Sequence, residues 1–193
     1  MKKRVMLLQQ HPHDISISNI SDIPDMIDKN QKECDRRVLV IPSGIGSTNV
    51  NHFNAMCGIT IAEGIDSDYV SNDTSFTKFV GTIETLRPTL IVAGSRGAEL
   101  VARLLEEAAD KYKGTILLLG PVYLSRVFDA KSKNRVVIVH GSKDKNENIE
   151  SVIGLVASHH NKATLIEATN KGHDLSFEKK SVLANVMRYV TMM

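Results

Sequence analysis

The sequence has no tryptophan and only five phenylalanines and four tyrosines, so a deep pocket walled by aromatic rings is not expected. It has two cysteines, Cys34 and Cys57, which supply neither a disulfide framework nor zinc-ligand spacing. A reducing cytoplasm suits such a chain, with a secreted protein carrying one Cys34–Cys57 bridge as the alternative. No apolar run approaches the ~18 residues of a membrane-spanning helix, so a soluble protein is expected. Lysine and arginine number 24 against 22 acidic residues, a net charge of +2. With no basic run, nothing points to a nucleic-acid partner. The start, "MKKRVMLLQQHPHD", is charged like a signal peptide, but its apolar stretch Val5–Leu8 is too short for one and reads as a first strand.

What is present reads as an ordinary globular chain: 193 residues, 42% hydrophobic and 24% charged, the size of one domain spanning 1–193. Short runs rich in valine, isoleucine and leucine recur at 37–42, 89–94, 115–120, 135–141 and 163–168. Runs of this kind suit strands covered on both faces. Amphipathic segments alternate with them. In 75–87 the apolar positions are Phe76, Phe79, Val80, Ile83 and Leu86, with Pro88 as the stop. In 97–112 they are Leu100, Val101, Leu104, Leu105 and Ala108; in 147–160, Ile149, Val152, Ile153, Val156 and Ala157. The last segment, 176–191, repeats the spacing with Val182, Leu183, Val186, Met187 and Val190. Such alternation predicts an α/β fold, a mainly parallel central sheet of about six to seven strands with helices on both faces. Residues 10–36 read as loop with a helical turn or two, and 50–70 as a short helix and a strand near "GITIAEGI".

"IVAGSRGAEL" (91–100) places Ser95 where a buried strand ends and a helix begins. A tight strand–turn–helix corner needs small residues two positions either side, and Ala93 and Gly97 are those residues. The stretch is a variant of the G-x-S-x-G nucleophile elbow with alanine first. A phosphate-binding turn and a plain tight turn are the structural alternatives. A serine nucleophile needs a base and an orienting acid. "RVVIVHGSKD" places Asp144 in a loop after one strand, and "ATLIEATNKGHD" places His173 in a glycine-containing loop after the next. The chain order Ser95, Asp144, His173 is the order this architecture uses. Asp144 could instead be a turn residue, and Glu147 is a fallback acid; Asp174, adjacent to His173, is a poor one. His140 is expected to pack at a strand end, and His11, His13, His52, His159 and His160 show no metal-ligand pairing.

With "AGSRGA", "HGSKD" and "KGHD" in register with the strands, residues 37–193 resemble a small α/β-hydrolase without a lid. The resemblance implies Ser95 as nucleophile, His173 as general base and acid, and Asp144 as the group orienting His173. It implies an oxyanion hole made of backbone N–H groups, from Arg96 and from the loop "SGIGST" (43–48), where Ile45 is the best match, with Gly44 or Gly46 if the register slips. That loop is similar to the family's His-Gly-x-Gly turn with Ser43 in place of histidine. Only residues 121–134 separate the third long run from the fourth, which leaves no room for a cap domain and predicts an open site, with Ile45, Tyr123, Leu124 and Arg96 as walls. The expected function is hydrolysis of a small-molecule carboxylic ester or thioester by a serine hydrolase, with no cofactor and no metal. The alternative is a non-catalytic binding or scaffold protein on the same frame. A Rossmann-like nucleotide binder is disfavoured, because no G-x-G-x-x-G follows the first strand.

Overall fold

The structure, a computed structural model, describes residues 17–19, 37–41, 60–62, 73–159, 161–173, 175, 186 and 190. Seven strands are described: β1 (Ile17–Asn19), β2 (Arg37–Ile41), β3 (Thr60–Ala62), β4 (Leu90–Gly94), β5 (Thr115–Leu119), β6 (Val136–Gly141) and β7 (Ala163–Ala168). The helices are α1 (Asp73–Leu86), α2 (Gly97–Glu107), α3 (Leu124–Asp129) and α4 (Ile149–Ser158), with a 3-10 turn at Ala109–Lys111. The strands form one parallel sheet in the order β1-β7-β6-β5-β4-β2-β3.

The long apolar runs become strands because both sides of each are covered. Successive residues point to opposite faces of a pleated strand, and the core divides accordingly. On one face Leu39, Ile41, Ile91, Ala93, Ile116, Leu118, Ile138 and Leu165 meet the buried stripes of the four helices. On the other, Val38, Val40, Leu90, Val92, Leu117, Val137, Val139 and Ile166 meet Val186 and Val190, which are helical. The expected helix at 176–191 is therefore represented by two of its predicted apolar positions, and its other residues, Leu175 before it aside, lie outside those described.

Helix boundaries follow local chemistry. Arg87 leaves α1 at φ 49, its N–H donating to Ile83 O at 2.8 Å, and Pro88 bars continuation of the helix. Asn148 caps α4, its side-chain oxygen accepting from Glu150 N–H at 2.9 Å.

Two expectations need correction. Residues 17–19, read as loop, form β1, paired in parallel to β7 with Ile17 opposite Leu165. The stretch 121–134, read as a connection, contains the short helix α3. The expected first strand at Val5–Leu8 and the short helix within 50–70 lie outside the described residues, while the expected strand near 58–65 is β3.

The chain runs from β2 outward to β3 and then returns across β2 to β4. Ligands of open parallel sheets bind beyond the carboxyl ends of strands where the order reverses in this way. The carboxyl end of β4 is thus the place the topology marks.

Candidate active site

Ser95 is the first residue after β4 and adopts φ 45, a conformation that costs a non-glycine residue about 1–3 kcal/mol. The surrounding backbone holds it there: Ser95 N–H donates to Leu119 O at 2.9 Å, and Ser95 O accepts from Ala98 N–H at 3.1 Å. The small neighbours are needed for a visible reason. A Cβ on Gly97 would stand 3.0 Å from Ile41 O and 3.4 Å from the Ala93 Cβ. The corner thus packs directly onto the end of β2, and Arg96, exposed, sits at the amino end of α2.

Asp144 and His173 come from the loops after β6 and β7, and these loops are bonded to each other. Lys143 N–H donates to Lys171 O at 2.8 Å, Ser142 N–H to Ala168 O at 3.1 Å, and Asn170 N–H to Ser142 Oγ at 2.8 Å. Gly141, the last residue of β6, lies against this seam. A Cβ there would overlap the carbonyl oxygens of Lys171 and Gly172. Absence of a side chain at Gly141 is what lets the His173 loop approach.

Ser95 Oγ lies 2.7 Å from His173 Nε2, and His173 Nδ1 lies 2.9 Å from Asp144 Oδ2. The partners fix the proton positions. An ionised carboxylate only accepts, so Nδ1 carries a hydrogen and Nε2 is left to accept from the Ser95 hydroxyl. The side chain of Asp144 is fully buried, and that of His173 is partly exposed. Burial pushes the Asp144 carboxyl upward, but the His173 hydrogen bond and the Asn146 amide outweigh it and hold the group below the ordinary carboxylate value. Its second oxygen, Oδ1, accepts from Asn146 N–H at 2.8 Å and from Glu147 N–H at 3.4 Å. One oxygen of this carboxylate thus closes the turn and the other faces His173.

Glu147 enters this region through its backbone: its N–H faces Asp144 and its carbonyl accepts from His140 Nε2 at 2.8 Å. His140 is fully buried, with Nε2 3.7 Å from Asp144 Oδ2, and its Nδ1 has no hydrogen-bond partner among the described residues. It thus clamps the Asp144 loop from below. In the sequence His140 shows only as the end of the apolar run 135–141, and its burial fits the expectation of packing at a strand end.

Among the expected walls, Tyr123 is exposed and Leu124 is buried at 1%. Leu124 is a core residue, because the chain turns at Tyr123 (φ 57) and sends the next side chain inward. Ile45 and the rest of the 43–48 loop, like Asp174, lie outside the described residues. Among the described residues no cluster of three histidine, cysteine or acidic side chains could hold a metal, and no helix is long and apolar enough to cross a membrane.

No family model and no curated protein matches the sequence. Solved structures do match the fold. A Xanthomonas campestris protein assigned to the alpha/beta hydrolase superfamily aligns with a TM-score of 0.58 at 14% identity, over 81% of this chain and 97% of its own. Est1E from Butyrivibrio proteoclasticus aligns with a TM-score of 0.57 at 13% identity, over 85% of this chain and 90% of its own. The esterase domain of a Rhodothermus marinus protein aligns with a TM-score of 0.54 at 11% identity, over 84% and 90%. At such identities the likeness is one of architecture, and the chain has the α/β-hydrolase fold.

Proposed function

We propose that the protein is a serine hydrolase that cleaves a carboxylic ester or thioester through an acyl-enzyme. The observation that carries this reading is the unbroken hydrogen-bonded chain from Ser95 through His173 to Asp144, at the sheet end where the strand order reverses. Its place on a fold shared with hydrolases and esterases supports it.

In this reading His173 Nε2 takes the hydroxyl proton as Ser95 Oγ bonds to the substrate carbonyl carbon. The negative charge moves to the carbonyl oxygen, where backbone N–H groups of Arg96 and Ile45 receive it. As the intermediate collapses, the bond to the alcohol or thiol breaks and the leaving group takes the proton from His173. A water then gives its proton to His173 and attacks the acyl carbon; collapse returns the proton to Ser95 and releases the acid. Asp144 stays ionised throughout and stabilises the imidazolium by holding its Nδ1–H.

Labelling with a fluorophosphonate probe, followed by peptide mapping, tests the assignment. One adduct on Ser95 in the wild type is expected, and none in Ser95→Ala or His173→Ala. Folded wild-type protein that takes no label would favour a binding protein on the same frame.

A further inference from the structure

Tyr123 stands in a conformation that the fold does not require of a tyrosine. Its φ of 57 is left-handed, a region that bulky side chains rarely occupy. A glycine would make the same turn without strain, as Gly120 does nearby at φ 51. The ring does not repay the strain through packing, since 57% of the residue is exposed, and it is the one large apolar residue so exposed among those described. Nor does its hydroxyl have a partner among the described residues. Backbone strain that packing does not reward is characteristic of sites that meet something outside the chain.

The position says what it meets. Val122 N–H donates to Ser95 O at 3.4 Å, and a Cβ on Gly120 would lie 3.1 Å from His173 O. Residues 120–122 therefore run past both the serine and the histidine, and Tyr123 is the next residue of the chain. We propose that Tyr123 is a specificity-determining residue whose exposed ring receives an apolar or aromatic group of the substrate beside Ser95. This rests on the hydrolase reading. The preferred substrates are then esters carrying such a group, in preference to small polar ones.

Two ester series test it on the wild type, Tyr123→Gly and Tyr123→Phe. One lengthens the acyl group from acetate to hexanoate on a constant p-nitrophenyl leaving group; the other changes the alcohol from ethyl to benzyl on a constant acetate. The expected result is a preference for the larger member of one series, which identifies the side the ring serves. That preference should fall about tenfold in Tyr123→Gly, the scale set by losing an apolar contact. Tyr123→Phe should keep it, and Tyr123→Gly should melt no lower than the wild type because strain is relieved. An unchanged preference with turnover intact, or a lowered melting temperature in Tyr123→Gly, overturns the role of the ring alone. A wild type with neither turnover nor label on Ser95 overturns the hydrolase reading and this proposal with it.

Discussion

The two ends of the sheet differ in what their polar side chains reach. At the amino end, side chains close onto backbone carbonyls. Asn134 Nδ2 donates to Tyr112 O at 3.2 Å and Gly114 O at 2.8 Å, the Tyr112 hydroxyl donates to Thr115 O at 2.6 Å, and Lys162 Nζ faces the carbonyls of Phe128, Ala130 and Ser132 at 3.4–3.5 Å. At the carboxyl end backbone bonds from Asp144 and His140 are joined by a run of side chains bonded to one another, Ser95 to His173 and His173 to Asp144. A carbonyl cannot change its protonation state, so the first arrangement can only hold the chain in place. An imidazole held by a carboxylate can take a proton from the hydroxyl and give it back. The difference separates groups that stabilise from groups that can react.

Asp144→Asn should break the carboxyl end most severely. An amide in place of the carboxylate no longer enforces the tautomer of His173, and kcat should fall by about 10⁴-fold. Steady-state hydrolysis of a short ester measures this; if Glu147→Gln does more damage, the acid has been misassigned. Gly141→Ala comes next. The added methyl displaces the carbonyls of Lys171 and Gly172 and moves His173, and a shift of about 1 Å should reduce kcat by about 10²-fold.

Asn134→Ala strikes the other end. It strands the Tyr112 and Gly114 carbonyls and should lower unfolding free energy by about 1–3 kcal/mol, with kcat unchanged in the protein that remains folded. Loss of kcat there would erase the distinction between the ends. The smallest effect is on pH dependence. Because the folded-state pKa of Asp144 is lowered, its contribution to stability is present above the unfolded carboxylate value of roughly 4 and disappears as pH falls through the depressed folded value. Melting temperatures measured downward from pH 5 should drop less steeply in Asp144→Asn than in the wild type.

The sequence revealed those features that a local constraint enforces. β2, β4, β5, β6 and β7 were legible because strands covered on both faces need unbroken apolar runs. Ala93 and Gly97 mark the Ser95 corner because space there is tight, a Cβ on Gly97 standing 3.0 Å from Ile41 O. β1 was illegible: three residues pairing with Leu165, Ile166 and Glu167 are too few to show a period of two. α3 failed likewise, since six residues span less than two helical turns. Asp144 and His173 were found through their order behind successive strands, whereas the clamp from His140 to the Glu147 carbonyl has no motif, because its partner is backbone. Leu124 reads as a wall because the left-handed turn at Tyr123 leaves no mark in a sequence.

The seam between the loops after β6 and β7 makes Asp144 and His173 travel together. Both are carried by one contiguous unit, β6–α4–β7 and its loops, while Ser95 is carried by β4 and α2. β5 ties the two together, since Leu119 O accepts from Ser95 N–H and Val139 O accepts from Gly120 N–H. A substitution that shifts the loop after β6 is therefore expected to carry His173 with it, and to lengthen the bond to Ser95 before it disturbs the bond to Asp144.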